Sequence, residues 1–343
     1  MMRWIPLLLL PALLLLAVAC DDGGDDGETP TATLEVAASG CDPVRPHTAG
    51  TFPDETITTS DGRDREYILH IPASYSGAKA VAIVLNFHGF ALTDDGYSEY
   101  TGLNAKAEEA GFIAVTPQGM TTESTDLPHW NSGALAEPEP DDVAFVDELL
   151  DALEAQLCAD PARVYATGFS NGAGMAVRLA CNLSDRIAAI GPVAGVSFPT
   201  AMEGETGCAA TRPVPVIAFH GTADPLVPFD GSEPDAPFSR RDVDDEIMPD
   251  WAEHNGCASL SEQDPVPGTT GVRLVGYEDC DEDATVELYV IVDADPDSPG
   301  EQGGGHTWPG ATRGEPGDAD NPTTQEISAN DLIWDFFQSH PMP

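Results

Sequence analysis

Arg163-Val164-Tyr165-Ala166-Thr167-Gly168-Phe169-Ser170-Asn171-Gly172-Ala173-Gly174 carries a β-branched, strand-like segment directly into a helix-like one. At the junction, Gly168-Phe169-Ser170-Asn171-Gly172 fits the pattern G-x-S-x-G. A serine on a sharp strand-to-helix turn is forced into a strained, exposed position from which its hydroxyl can attack a carbonyl. Small residues flank it because the turn brings the strand and helix backbones close together. Ala173 and Gly174 then keep the first helical turn narrow. The pattern alone is weak, since glycine and serine are common. Its strand-before, helix-after context predicts a serine hydrolase.

Outward from this turn, strand-like and helix-like segments alternate. Glu66 to Ile71 alternates in polarity up to Pro72, as a half-buried strand does, and Val81 to Phe87 is a continuous apolar run suited to a strand buried on both faces. Residues 97–110 read as a helix and Phe112 to Val115 as the next strand. Val143, Val146, Leu149, Leu150, Leu153 and Leu157 repeat at helical spacing, with Asp141 and Asp142 where the helix dipole favours negative charge. Beyond the turn come strands at Ile187 to Ala194, Val214 to Phe219 and Val286 to Val292, and helices over 242–254 and Ile327 to Gln338. Such alternation predicts an α/β fold, a mostly parallel central sheet with helices on both faces. Residues 228–240 and 293–322 are long Pro/Gly/Asp-rich loops of the kind that carry function at strand ends.

A serine hydroxyl needs a histidine to take its proton, and the histidine needs a carboxylate to orient it. In α/β-hydrolases these follow in the order Ser, Asp or Glu, His. Asp224 lies just past a buried strand in His220-Gly221-Thr222-Ala223-Asp224-Pro225 and is the expected acid; the alternative is a turn aspartate before Pro225. His306 follows Gly303-Gly304-Gly305, which let a loop approach the serine closely, and is the expected base. His88 and His220 each follow a strand and precede glycine, and are read as packing or loop-holding residues. The oxyanion needs two backbone N–H donors. Asn171 is expected to supply one, and Phe90, in the turn after the His88-Gly89 strand, the other. Trp308 beside His306, and Trp130 in His129-Trp130-Asn131, are candidate aromatic platforms for substrate, with packing as the competing reading.

Tyr165 to Met175, His220 to Asp224, and Gly303-Gly304-Gly305-His306-Thr307-Trp308-Pro309-Gly310 together resemble the polyhydroxybutyrate depolymerase/feruloyl esterase family. The resemblance spans roughly residues 50–340, with the three motifs in the family's order. It implies an α/β-hydrolase fold and hydrolysis of carboxylic esters, either hydroxycinnamate esters on plant polysaccharide or aliphatic polyesters. By the same resemblance Ser170 is the nucleophile, Asp224 the acid and His306 the base, and Cys257 pairs with Cys280. An acetyl-xylan esterase with the same machinery is a further alternative. From another class, the chain could be a catalytically silent, polysaccharide-binding surface lipoprotein, against which an intact Ser/Asp/His set argues. No accessory carbohydrate- or polymer-binding domain is read in the chain, which turns the expectation away from crystalline solids.

The N-terminus is read apart from the fold. Arg3 precedes an apolar run from Leu7 to Ala19 that is broken by Pro11 and ends at Cys20, which describes an exported chain's signal. Leu16-Ala17-Val18-Ala19-Cys20 resembles a lipobox, so residues 1–19 are expected to be a lipoprotein signal peptide and Cys20 a lipidated N-terminus. Plain secretion is the alternative, and the run is short for the roughly 20 residues of a membrane span. Residues 20–40, acidic and Gly-rich, are expected to be a flexible tether, and residues 41–343 a single catalytic domain outside the membrane. A net charge of −45, with Lys79 and Lys106 the only lysines, excludes nucleic acid and anionic membrane surfaces as partners. The remaining six cysteines, Cys41, Cys158, Cys181, Cys208, Cys257 and Cys280, are an even number in an exported chain and predict disulfides. None has zinc-site spacing, and the acidic stretch from Asp293 to Asp297 departs from a calcium loop in placing its glycine at Gly300. No metal or cofactor is expected, and the expected partner is an ester substrate.

Overall fold

The apolar run at Val81–Phe87 sends alternate side chains to opposite faces, Ile83, Leu85 and Phe87 into one buried cluster and Ala82 and Val84 into another. The structure, a computed structural model, describes residues 41–122, 125–132, 140–199, 207–232, 241–293, 303–312 and 322–343. The signal, the lipidated Cys20 and the tether read over residues 1–40 lie outside the described residues, as do parts of both long loops. Residues Ala38–Pro343 form one compact unit.

The strands are β1 (Gly50–Thr58), β2 (Asp64–Ile71), β3 (Val81–Phe87), β4 (Ile113–Pro117), β5 (Met120–Thr121), β6 (Pro128–His129) and β7 (Ala159–Phe169). They continue with β8 (Ala189–Val193), β9 (Val216–Gly221), β10 (Ser259–Gln263), β11 (Val272–Glu278) and β12 (Val286–Ile291). The helices are α1 (Asp94–Thr101), α2 (Leu103–Ala110), α3 (Asp142–Gln156), α4 (Asn171–Asn182), α5 (Met248–His254) and α6 (Ala329–Ser339). Among the described residues, ten strands form one sheet in the order β1-β2-β4-β3-β7-β8-β9-β12-β11-β10. The six from β4 to β12 run parallel, and antiparallel pairs flank them on both sides. This is the α/β-hydrolase architecture, with helices on both faces.

Residues of α3, α4 and α5 (Phe145, Leu149, Met175, Leu179, Trp251) pack one face of the sheet. Residues of α1, α2 and α6 (Tyr97, Tyr100, Leu103, Ile333, Phe337) pack the other. The strand β7 lies at the centre, between β3 and β8, so the turn at its C-terminal end opens onto the middle of the sheet edge.

Several expectations are refined. The helix expected over 97–110 is two helices, because Gly102 takes the left-handed φ of 67°, ends α1 and starts α2 at a new angle. Asp141 caps α3, accepting a hydrogen bond from the Ala144 N–H. Asp142 instead turns inward to a buried ion pair with Arg65 at 2.7 Å. The flanking strands β1, β10 and β11 were not read from the sequence. Every residue of β10, Ser-Leu-Ser-Glu-Gln, is exposed, and such an edge strand lacks the apolar alternation that marks a half-buried one.

The six cysteines form Cys41–Cys158, Cys181–Cys208 and Cys257–Cys280, the last being the pairing that the family resemblance implied.

Candidate active site

The turn between β7 and α4 is made by backbone contacts that only glycine permits. A Cβ on Gly172 would lie 2.0 Å from the carbonyl oxygen of Phe87, and one on Gly168 would lie 2.3 Å from the Gly172 carbonyl oxygen. Neither neighbour is a flexible side chain, so both positions exclude any larger residue. Gly195, at the end of β8, closes on the same turn, where a Cβ would meet the Ser170 carbonyl oxygen at 2.3 Å. Ser170 itself stands at φ 55°, ψ −119°, a conformation that L-residues rarely adopt. Its N–H is held by the Val193 carbonyl at 2.9 Å. Its neighbours from Val164 to Phe169 and from Asn171 to Ala173 are buried, while Ser170 is half-buried. The turn therefore raises one hydroxyl out of the packed core at the head of α4.

The loop after β12 and the turn after β9 meet beside it. The His306 ring lies 4.6 Å from the ring of Phe169, the residue before Ser170. His306 Nδ1 is 2.7 Å from Asp224 Oδ2, with both side chains buried. Asp224 Oδ1 accepts hydrogen bonds from the N–H groups of Leu226 and Val227, at 2.9 and 2.8 Å. Burial works to raise the proton affinity of this carboxyl. The hydrogen bonds from His220 and His306 outweigh it and hold Asp224 well below the usual carboxylate range. A carboxylate that stays ionised and receives the Nδ1 proton of His306 leaves Nε2 of that ring as the basic nitrogen.

Gly221 and Gly304 explain the glycines around the two motifs. A Cβ on Gly221 would lie 2.0 Å from the Gly304 carbonyl oxygen, so β9 and the His306 loop touch backbone to backbone. Ala223 N–H donates to that same carbonyl at 2.8 Å. The acid-bearing and histidine-bearing loops are thus joined directly.

The turn after β3 comes from the other side. His88 is buried, and its Nε2 accepts the Gly119 N–H at 2.8 Å while Nδ1 lies 2.8 Å from the Gly89 carbonyl. Burial pulls the imidazole down to about 4, so it is neutral in the folded protein and donates from Nδ1. His88 is the loop-holding residue expected, and it sets the path of the Gly89–Phe90 turn. Gly89 packs on Phe169, where a Cβ would meet the Phe169 ring at 3.2 Å. Asn171, at the first position of α4, is fixed by its own side chain. Its Oδ1 accepts the Trp130 N–H at 2.7 Å, and its Nδ2 donates to the Trp130 carbonyl at 3.1 Å and to Ser132 Oγ at 3.0 Å. This amide clamp left no signal in the sequence beyond the asparagine itself.

The two tryptophans do not have the place expected of substrate platforms. Trp308 is 0% exposed; its backbone N–H donates to the Tyr100 hydroxyl at 2.7 Å and its ring meets Tyr97 edge-on. Trp130 is likewise 0% exposed, with Nε1 donating to the His88 carbonyl at 3.0 Å and its ring edge-on to Phe87. Trp308 packs in the layer that holds α1, next in sequence to the His306 loop, and Trp130 ties the His88 turn to Asn171. Among the described residues no cluster of His, Cys, Asp and Glu could hold a metal ion.

The chain is similar to known esterases. The profile of the family described as esterase PHB depolymerase matches residues 65–227. The protein named "Putative esterase NocK" from Nocardia uniformis subsp. tsuyamanensis is 30% identical over 90% of this chain and 89% of its own length. Feruloyl esterase C of Emericella nidulans is 26% identical over 70% of this chain and 80% of its own. Among solved structures, the acetyl xylan esterase from Aspergillus awamori superposes with a TM-score of 0.54 at 14% identity, covering 84% of this chain and 99% of that one, a likeness of fold.

Proposed function

Because the chain belongs to the esterase PHB depolymerase family and is an esterase by that kinship, we propose that it works through an acyl-enzyme formed on Ser170. In this reading Ser170 Oγ attacks the ester carbonyl and its proton passes to Nε2 of His306. The N–H groups of Asn171 and Phe90 receive the negative charge that develops on the carbonyl oxygen. The proton then leaves with the alcohol, and the acyl group stays on Ser170. A water molecule, giving its proton to His306, attacks the acyl carbon; that proton returns to Ser170 as the free acid departs. Asp224 keeps its charge throughout and steadies the imidazolium. The observation that carries the reading is the 2.7 Å contact of buried His306 Nδ1 with Asp224 Oδ2, on a ring packed against Phe169.

The substrate class we favour is a feruloyl-type ester on plant polysaccharide, supported by relatives named feruloyl esterase along most of the chain. A short-chain polyester or an acetylated xylan is the competing class, supported by the family's name and by the fold likeness. The three disulfides suit an oxidising compartment, and we place the enzyme outside the cytoplasm, anchored through a lipid on Cys20. Turnover of methyl ferulate and of a soluble hydroxybutyrate oligomer is the deciding comparison. Faster hydrolysis of methyl ferulate is expected; turnover of the oligomer alone overturns the substrate class. Undiminished hydrolysis by Ser170→Ala overturns the mechanism.

A further inference from the structure

Asp224 is held by two imidazoles. Besides His306, the side chain of His220 from the end of β9 lies against it, with Nε2 at 3.4 Å from Asp224 Oδ2 and 2.8 Å from the Val227 carbonyl oxygen. His220 is 1% exposed, and its Nδ1 is buried with no hydrogen-bond partner among the described residues. The Nε2 proton goes to the Val227 carbonyl, which selects the tautomer with bare Nδ1, and Asp224 Oδ2 lies near the same N–H at contact distance. The Val227 N–H meanwhile donates to Asp224 Oδ1 at 2.8 Å. Residues 224–227 therefore close on themselves through the carboxylate, and His220 laces the far side of that turn to the strand. The ring of Phe229, 5.8 Å away and edge-on, holds the imidazole in this pose. The titratable groups that bear on Asp224 are these two histidines.

We propose that His220 is a positioning residue for the triad acid: its Nε2–H fixes Asp224 toward His306 and limits how much of the carboxylate's charge His306 receives. The proposal rests on the roles given above to Asp224 and His306. Oδ2 accepts the Nδ1–H of His306 at 2.7 Å and faces the His220 Nε2–H at 3.4 Å, an electrostatic contact, while Oδ1 is already taken by two backbone donors. The carboxylate spreads its charge over these three donors and the facing His220 N–H dipole. Remove the His220 donor, and more of that charge falls on His306. The pull of the carboxylate on the His306 ring then strengthens, which the acid limb of the pH–rate profile reads. The turn also loses its tie to β9, so the carboxylate is less well aimed.

Glutamine and asparagine separate this role from simple packing. The amide nitrogen of glutamine reaches the position of Nε2, whereas that of asparagine reaches only that of Nδ1. In His220→Gln the acid limb of the kcat/KM profile on p-nitrophenyl acetate stays near that of the wild type. In His220→Asn it moves to higher pH by about half a unit, and kcat falls roughly tenfold, the scale of one lost hydrogen bond to a charged group. KM changes little. Identical acid limbs for the two variants overturn the proposal. A second measurement needs no variant: nitrogen NMR of the wild type should find the neutral His220 ring protonated at Nε2 and bare at Nδ1. The opposite tautomer overturns the proposal even where a variant fails to fold. Should Ser170→Ala or His306→Ala leave hydrolysis intact, the triad reading fails first, and that result is distinct from either of these.

Discussion

At Ser170 a single residue carries backbone strain and the proposed chemistry together. Its φ of 55° with ψ of −119° lies where glycine is at ease and serine is not. Ser170→Ala should reduce ester hydrolysis by roughly a thousandfold or more, as loss of a nucleophile does, with thermal unfolding little changed. Ser170→Gly should be as inactive yet unfold at a temperature no lower than Ser170→Ala, because glycine relaxes the strain; calorimetry of the two variants checks this. The flanking glycines behave differently. With only 2.0 Å from a Gly172 Cβ to the Phe87 carbonyl oxygen, Gly172→Ala must displace β3 from α4. That variant should fail to accumulate as folded protein, measured by soluble yield and circular dichroism. The proposed nucleophile, acid and base were legible because each sits in a short motif that the local backbone requires. The Asn171 clamp on Trp130 was not, since it joins positions 41 residues apart that only folding brings together.

Among the elements, the His88 turn and the His306 loop are set by buried aromatic and imidazole groups. Neutral His88, with its imidazole pulled down from 6.5 to about 4, cannot take a proton in the folded state where the unfolded chain can. Its contribution to stability is full above about pH 6.5 and is lost as pH falls toward 4, amounting to roughly 3 kcal/mol across that window. Thermal unfolding measured from pH 7 to pH 4 should therefore drop more steeply for the wild type than for His88→Gln. Trp308 offers a second test at this scale. Trp308→Ala should cost about 3–5 kcal/mol through the cavity it opens, and should lower kcat because the backbone it anchors is next to His306. Chemical denaturation and steady-state kinetics of that variant read the two effects separately. By sequence its ring is a candidate platform, because an aromatic beside a proposed base invites that role. Burial against Tyr97 and Tyr100 is a property of the packed layers and leaves no mark in the local sequence.

Over the whole molecule, charge and cross-links dominate. With a net charge of −45, repulsion among carboxylates opposes the compact state, and dissolved salt screens it. The melting temperature should rise with sodium chloride from low to moderate ionic strength; a flat response would show that the charges are already neutralised by their arrangement. The Cys41–Cys158 bridge closes a loop with a sequence separation of 117, so removing it by paired Cys→Ala changes should cost about 5 kcal/mol on a chain-entropy argument. Denaturant midpoints with and without the bridge test that figure.

What the sequence by itself determined is the alternation of elements, the elbow, and the order of Ser170, Asp224 and His306 in their three motifs, because hydrophobic period and turn chemistry are local. It also determined which residues could be ionised, bridged or reactive. Only the tertiary structure decided the antiparallel flanks of the sheet, two of the three disulfide pairings and the burial of both tryptophans. It alone brought His220 and His306 onto one carboxylate. Each of these depends on segments distant in the chain meeting across the sheet edge, and the approach of two backbones is visible only once the layers have packed.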